Sequence, residues 1–276
     1  MLQKVTERIY YLMNENKTER PALGVIKGDN YCMVFDAGNS PTHADILLSE
    51  IEKINFPPVK YVVVSHHHWD HIFGIDRFDS IKIASNRTSE LSKIYKGIKL
   101  DESSLEIAKN DKIFDDIAVE LVKKEFGNRP ALEGVQFDLL FSGTLEINLG
   151  GITCLIKEIT NPHREDGTIL YIPEERVLFL GDAAYGCTRN GRSYYDRDKT
   201  ISMMKEIDNY EANYYLLSHE SICTKEEMES YFNDINMGLD MSKGCTIIEE
   251  AIENFKAFYN REPSKNDLFF LESFCE

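Results

Sequence analysis

A cluster of potential metal ligands lies in the segment SHHHWDH, which runs from Ser65 to His71. Its side chains with ligand chemistry are His66, His68, Asp70 and His71. The chain has 7 histidines in 276 residues, so chance would produce this His-x-His-x-Asp-His pattern with a frequency on the order of a few in ten thousand. Imidazole and carboxylate donors suit zinc, iron or manganese, whereas structural zinc sites are usually closed by four ligands, often sulfur. Because the segment contains no cysteine, it indicates a catalytic metal site.

Three further residues with ligand chemistry each follow an apolar run later in the chain. The run at 152–160 precedes His163, the run at 176–181 precedes Asp182, and the run at 212–218 precedes His219. Another apolar run, 61–64, leads into His66 in the same way. Binding and catalytic residues are commonly placed where strands end and loops begin on a rigid sheet. We therefore expect these four points of the chain to converge.

The HHHWDH motif, together with His163, Asp182 and His219, resembles the signature of the metallo-β-lactamase superfamily of metal-dependent hydrolases. The resemblance implies an α/β fold, a four-layer αββα sandwich in which helices lie outside two facing sheets. It also implies two divalent metal ions per chain, which we expect to be zinc, with manganese or iron as alternatives. The ligands implied are His66, His68 and His163 for the first ion, Asp70, His71 and His219 for the second, and Asp182 as the bridge.

The same resemblance implies the reaction. A hydroxide held between the two ions would attack a small ester, thioester, lactone or phosphodiester, and Asp70 would orient it and pass its proton to the leaving group. Asp182 is absent from the β-lactamases that bind a second zinc through cysteine, so the chain looks more like the glyoxalase II and lactonase branch. One alternative is an oxidoreductase that resembles the sulfur dioxygenases with a single iron. Another is a metal-binding protein without catalytic activity.

Composition narrows the partners that we expect. The net charge of −16 disfavours a nucleic-acid substrate and an anionic membrane surface, because both require a basic face. Charged residues interrupt the apolar ones at 1–13, which is not typical of a signal peptide. The six cysteines form no CxxC pair and are read as reduced thiols, with Cys187 alone expected near the site. We therefore predict a cytoplasmic protein that acts on a small molecule and that could form a homodimer.

The chain is divided by pattern into a catalytic domain, 1–223, and a helical appendage, 224–276. Within the first domain, 86–135 is either a cap over the pocket or a surface insertion. The apolar spacing predicts a helix at 41–54 with Ser40 as its N-cap.

Two further helices follow from apolar spacing and capping signals. One is predicted at 111–126, closed by Gly127, and the second helix of the appendage is predicted to begin near Ser242.

The segment between Asp182 and the next predicted helix is basic within an acidic protein, and it carries Arg189, Arg192, Arg197 and Lys199. These side chains could bind an anionic group of the substrate, since guanidinium matches carboxylate and phosphate geometry. The other interpretation is that they pair with Asp196 and Asp198. Tyrosines of the same segment are candidates for donating to a developing oxyanion, or for packing only: Tyr185, Tyr194 and Tyr195.

Four further residues near the motifs lie outside the ligand set. Asp36 could accept a hydrogen bond from a ligand imidazole, or it could cap the turn that follows it. His67 and Trp69 alternate with the ligands and are expected to support them or to pack. His43, on the helix at 41–54, is expected to be exposed.

Overall fold

Two β-sheets form the centre of the fold in the computed structural model, which describes residues 1–126, 131–132, 134–189 and 191–275, with the backbone alone at residue 189. The first sheet contains, in spatial order, β1 (Gln3–Lys4), β2 (Ile9–Leu12), β3 (Leu23–Lys27), β4 (Cys32–Phe35), β5 (Val59–Val63), β6 (Ile81–Ser85) and β7 (Leu139–Phe141). β1 to β4 pair antiparallel, and β4 to β7 pair parallel.

The second sheet is built from the later part of the chain. Its strands are β8 (Thr144–Asn148), β9 (Thr153–Glu158), β10 (Thr168–Ile172) and β11 (Val177–Gly181), and, after a separate hairpin of β12 (Cys187–Arg189) and β13 (Arg192–Tyr194), β14 (Tyr214–Leu217) and β15 (Cys223–Thr224). The spatial order is β15-β14-β11-β10-β9-β8, and the β11–β14 pair is parallel.

Alternating side chains bury both faces of each sheet. In β5 and just after it, Val62 and Val64 pack towards the outer helices, whereas Val63 packs between the sheets. In β11, Phe179 lies between the sheets and Leu178 packs on the opposite face. A strand that is buried on both faces has a continuous apolar sequence, which is why the run at 61–64 is recognisable as a strand. The predicted αββα sandwich is confirmed.

Helices cover the outer faces of the sheets. They are α1 (Pro41–Lys53), α2 (Trp69–Ile72), α3 (Asn86–Leu91), α4 (Glu102–Asn110), α5 (Asp116–Phe126), α6 (Arg197–Ile207), α7 (Lys225–Met241), α8 (Ile248–Tyr259) and α9 (Lys265–Ser273). Short 3-10 turns lie at Asn16–Thr18, Ile75–Arg77 and Ser92–Tyr95.

The predicted cap of α1 is confirmed, because the Ser40 side chain accepts from the His43 amide at 3.2 Å. None of the helices that could be described is long and apolar enough to cross a bilayer.

The helix predicted at 111–126 begins later than its apolar spacing suggests. α4 ends at Asn110, and Lys112 has φ 59°, a left-handed conformation that does not continue a helix. The Asp115 carboxylate then accepts from the Ala118 amide at 2.7 Å and starts α5. The start of the predicted helix is therefore wrong, and its predicted closing residue, Gly127, lies outside the described residues.

The predicted start of the second appendage helix is also wrong. Ser242 is the C-cap of α7, and its hydroxyl bonds to the Gly238 carbonyl, so it ends one helix instead of beginning the next. Gly244 then adopts φ 77°, which reverses the chain before α8. The appendage helices share an apolar cluster with Tyr195. The domain boundary at 223/224 stays a prediction.

His43 is buried, so the prediction that it is exposed is wrong. Only 1% of the residue is accessible, and its Nδ1 lies 2.7 Å from the point where a side chain on Gly38 would place its Cβ. The imidazole is on the face of α1 that packs inwards with Ala44 and Leu47. Burial first, and then the positive charge of Arg20, lowers the pKa of His43 to about 3. The side chain is therefore neutral in the folded protein.

This histidine should make the protein more sensitive to acid. A group whose pKa is lowered on folding gives stability that is present above its unfolded pKa of ~6.5 and is lost as the pH falls through that value towards the folded pKa. Between pH 7.5 and pH 5, we expect His43→Gln to lose about 2 kcal/mol less unfolding free energy than the wild type. Urea unfolding of the metal-free proteins at the two pH values measures this difference. Equal losses of unfolding free energy in the two proteins would show that folding does not lower the pKa of His43.

Candidate metal centre

Four strand ends bring the candidate ligands together, although these residues are far apart in the sequence. β5 leads into His66, β9 into the turn that carries His163, β11 into Asp182 and β14 into His219. Because α2 begins at Trp69, Asp70 and His71 lie in its single turn. The seven side chains form two groups whose donor atoms lie within 4.8 Å of one another, His66, His68, His163 and Asp182 in one and Asp70, His71 and His219 in the other.

The Asp182 carboxylate lies between the two groups. Its Oδ2 is 3.8 Å from His66 Nε2 and 3.3 Å from His163 Nε2 in the first group. It is also 3.5 Å from His71 Nε2 and 3.6 Å from His219 Nε2 in the second. One oxygen thus contacts imidazoles from both groups. A carboxylate in this position is able to bridge two cations.

Two observations indicate that these side chains are suited to binding metal ions. Three buried polar atoms in the cluster have no hydrogen-bond partner within the described part of the chain, namely His66 Nε2, His71 Nε2 and Asp182 Oδ1. Such atoms are costly to bury unless another partner, such as a cation, binds them. In addition, His68 Nδ1 is 3.1 Å from His163 Nε2. Two nitrogen ligands on a tetrahedral zinc ion are roughly 3.4 Å apart, given Zn–N bonds of ~2.0–2.1 Å.

Neighbouring groups set the orientation of the imidazoles. His163 Nδ1 lies 3.1 Å from the Gly186 carbonyl, which can only accept, so Nδ1 carries the proton and Nε2 has a free lone pair. His71 Nδ1 lies 2.8 Å from Asp36 Oδ2, which likewise places the proton on Nδ1 and leaves the lone pair of Nε2 to bind a metal ion. Asp36 also accepts from the Ser65 amide at 2.7 Å. A carboxylate behind a ligand histidine fixes its tautomer and its direction.

Two unusual backbone positions make this arrangement possible. Asp36 has φ 66°, in the left-handed region, which turns the chain at the end of β4. Gly181 has φ 56°, and a Cβ on it would lie 2.6 Å from Ser65 Cβ. Only glycine fits at this position, because the Asp182 and His66 segments approach each other closely there.

The electrostatics of the cluster favour cations. Burial lowers the pKa of His66 and of His68, so both imidazoles stay neutral and keep a lone pair for a ligand bond. Burial alone would raise the pKa of Asp182, but His71 and His219 outweigh it and hold that pKa well below its usual range. Asp70 is held in its charged form by the same two histidines, again against the effect of burial. Two buried carboxylates are thus negative at neutral pH.

A cavity of ≈ 750 Å³ opens over the cluster. The candidate ligands Asp70, His163, Asp182 and His219 line it, as do His67, Trp69 and Tyr185. The predicted cap segment, 86–135, forms one wall with Ile94, Tyr95, Lys109, Lys112, Ile113, Phe114, Asp115, Asp116 and Ala118. The ligands are therefore reachable by a small molecule from one side.

The aromatic candidates of the basic loop occupy different environments. Tyr185 lines the cavity, and its hydroxyl accepts from the His219 amide at 3.3 Å, so its own proton is available for another acceptor. Burial, and then the charge of Asp182, raises the pKa of Tyr185 and keeps it protonated. Tyr195 is buried, and its hydroxyl donates to the Ala184 carbonyl at 3.3 Å. Tyr194, at the end of β13, is half-buried and is not among the described residues that line the cavity.

The described basic side chains of that loop, those of Arg192, Arg197 and Lys199, do not line the cavity. Arg192 is paired with Glu272 at 2.9 Å, and Arg197 donates to the Leu239 carbonyl and to Ser242, each at 2.7 Å. Neither pairs with Asp196, which caps α6 instead. The side chain of Arg189 lies outside the described part. The loop reaches the cavity through Thr188 and Gly191.

Three residues that the sequence patterns did not single out contact the site. Asp166 is buried and lies 3.0 Å from Nδ1 of His67, which belongs to neither ligand group. Arg164 donates from Nε to His68 Nε2 at 2.6 Å, and Lys112 lines the cavity from the turn before α5. Only the position of Arg164 next to His163 could have drawn attention to it.

Comparison with known proteins agrees with this architecture. The chain superposes on the stereoselective inverting sec-alkylsulfatase Pisa1 from Pseudomonas sp. with a TM-score of 0.63 at 16% identity, over 98% of this chain and 46% of that one. A metallo-beta-lactamase from Pontibacter korlensis gives a TM-score of 0.55 at 15% identity, over 84% of this chain and 96% of that one. The chain thus spans about half the length of the alkylsulfatase. At these identities the likeness concerns the fold alone.

A search of functionally curated proteins found no match to the sequence. The sequence model of the metallo-beta-lactamase superfamily, in contrast, matches residues 22–219. That range is more than half of the chain and contains every candidate ligand from His66 to His219. The chain therefore belongs to the metallo-β-lactamase superfamily.

Proposed function

We propose that this protein is a dinuclear metal-dependent hydrolase, with zinc as the expected ion, that cleaves a small ester, thioester, lactone or phosphodiester. The observation that carries the proposal is the position of Asp182 Oδ2, which lies 3.3–3.8 Å from imidazole nitrogens of both ligand groups. His66, His68 and His163 would hold one ion, Asp70, His71 and His219 the other, and Asp182 would bridge them. The cavity volume of ≈ 750 Å³ supports a small substrate, since pockets for small molecules are typically ~300–1,000 Å³.

Bound ions would supply an activated water at neutral pH and would polarise the bond to be cleaved. Asp70 is charged, buried and in the cavity wall, so it is placed to accept the proton of the attacking water and return it to the leaving group. Tyr185 is protonated and can donate a hydrogen bond to an oxyanion. In the overall reaction one C–O, C–S or P–O bond breaks, and the hydroxyl of water joins the carbonyl carbon or phosphorus.

Metal content and turnover test the proposal together. We expect protein purified without added metal to contain close to two zinc or manganese ions per chain and to hydrolyse at least one member of a panel. The panel holds a p-nitrophenyl ester, a thioester, a γ-lactone and bis(p-nitrophenyl) phosphate. A secondary alkyl sulfate is assayed beside the panel because one structural neighbour is an alkylsulfatase, and turnover of the sulfate alone would contradict the proposed substrate classes. Chelation should abolish turnover, and added zinc should restore it.

One iron per chain with oxygen uptake in the presence of a persulfide would instead support the sulfur dioxygenase alternative. Two bound ions without hydrolysis of any panel member would favour the non-catalytic alternative. Either result would contradict the proposed hydrolase.

A further inference from the structure

Arg164 is unusual among the arginines of this acidic protein. Most arginines whose side chains are described pair with a carboxylate, namely Arg8, Arg20, Arg77, Arg87, Arg176, Arg192 and Arg261. Arg197 is satisfied by the Leu239 carbonyl and Ser242. The side chain of Arg164 hydrogen-bonds to His68 and forms no ion pair with a carboxylate among the described residues, although the chain has 47 acidic residues. It also lines the cavity over the ligand cluster.

The hydrogen bond from Arg164 to His68 would be lost if His68 binds a metal ion through Nδ1. His68 Nδ1 faces the ligand group, 3.1 Å from His163 Nε2, and its Nε2 faces Arg164 Nε at 2.6 Å. A neutral imidazole that gives its Nδ1 lone pair to a metal ion carries its proton on Nε2. Two N–H groups would then face each other, so Arg164 would lose this acceptor. In the metal-loaded protein the guanidinium of Arg164 would therefore be free to bind a ligand in the cavity.

The other charges of the cavity indicate where that ligand would lie. Lys112 lines the same cavity, and its ammonium has no ion-pair partner within the described ranges. Lys109 is already neutralised by Asp116 at 2.8 Å. Glu19 also lines the cavity, and burial, followed by the negative charge of Asp70, raises the pKa of its carboxyl group. Among the described residues, the unpaired positive charge of the cavity is therefore carried by Arg164 and Lys112.

We infer that Arg164, assisted by Lys112, binds an oxyanion group of the substrate, a carboxylate or a phosphate, that lies outside the scissile bond. This inference rests on the proposed hydrolase function and narrows its substrates to anionic ones. A guanidinium fork matches the two oxygens of such a group, while a lysine adds charge without a fixed geometry.

A matched pair of substrates tests the inference. Mono(p-nitrophenyl) suberate carries a free carboxylate too far along its chain to attack its own ester readily, and its methyl ester has the same scissile bond without the charge. We expect Arg164→Gln to raise KM for the anionic ester by about 10- to 100-fold and to change KM for the neutral ester by less than about 2-fold, since one charge-assisted hydrogen-bonding group is lost. Lys112→Gln should raise KM for the anionic ester by about 3-fold, and Arg164→Lys should recover part of the loss.

Arg77→Gln is the matched control, because it removes an exposed arginine that pairs with Asp45 outside the cavity. It should leave both KM values unchanged. Zinc content is measured in every variant. If Arg164→Gln changes both esters equally, or lowers the zinc content, the residue supports His68 and the inference is wrong.

Direct binding separates this inference from the proposed function. Calorimetric titration of the zinc-loaded protein with succinate, and separately with inorganic phosphate, needs no turnover. Binding of either anion that Arg164→Gln weakens at least about 10-fold, and that Arg77→Gln does not, supports the inference even if neither ester is hydrolysed. If the wild type binds neither anion, or if Arg164→Gln binds as tightly as the wild type, the inference is overturned.

Discussion

Replacing Asp182 with alanine is expected to lower hydrolysis by about 10³-fold or more and to reduce the metal content below two ions per chain. The reason is its position, since Oδ2 lies within 3.8 Å of imidazoles in both ligand groups. Its loss would remove one negative charge from between two cations and one ligand from each of them. A metal site contributes several kcal/mol of transition-state stabilisation, and ~4 kcal/mol corresponds to about 10³-fold in rate. Metal analysis and steady-state kinetics on the same sample measure both effects.

Asp45→Ala is a suitable control, because Asp45 is a half-exposed carboxylate that pairs with Arg77 and does not line the cavity. It should retain full metal content and turnover. Far-ultraviolet circular dichroism shows whether Asp182→Ala is folded. Loss of metal without loss of turnover in that variant would contradict the dinuclear scheme, since the reaction would then not depend on the bridged ions.

The second large effect is expected for Asp70→Asn, which should lower kcat by about 10²- to 10⁴-fold, the usual contribution of a positioned acid or base. The amide has nearly the same shape but cannot accept the proton of the attacking water. Asp70 Oδ2 also lies 3.2 Å from His71 Nε2 and 3.3 Å from His219 Nε2, so the second ion should bind more weakly. The first group, His66, His68 and His163, does not include Asp70 and should keep its ion.

Excess zinc separates the two effects of this substitution. If weak binding of the second ion were the whole defect, saturating zinc would restore kcat to the wild-type value. We expect occupancy to recover while kcat stays low, because the proton acceptor is still missing. Full recovery of kcat would show that Asp70 is a ligand only.

The architecture and the ligand positions could be predicted because both depend on local patterns. Continuous apolar runs such as 61–64 become strands that are buried on both faces, and the residue after each run lies at the sheet edge. The apolar runs alone therefore predict that His66, His163, Asp182 and His219 lie near one another. Their binding of metal stays a prediction.

The predicted helix boundaries were wrong where a single side chain or backbone angle decided the true boundary. Apolar residues at 113 and 114 continue the helical spacing of α5, but Lys112 is left-handed and Asp115 caps the helix after them. Ser242 has the residue type of a helix start, yet its hydroxyl bonds to the end of α7. The spacing of apolar residues does not contain this information, since capping depends on which backbone groups remain unpaired.

The amino-acid sequence by itself determined the chemistry of this protein: the imidazole and carboxylate donors, their order along the chain and the strands that carry them to one edge. Only the tertiary structure decided what surrounds those donors. His67 contacts Asp166 across 99 residues, Arg164 reaches His68 across 96, and His43 is buried rather than exposed. The arginines of the loop after Asp182 were one candidate for binding an anionic group, whereas Arg164, which no sequence pattern singled out, is the arginine that lines the cavity among the described residues. Contacts of this kind depend on how distant segments pack, and a local pattern cannot specify them.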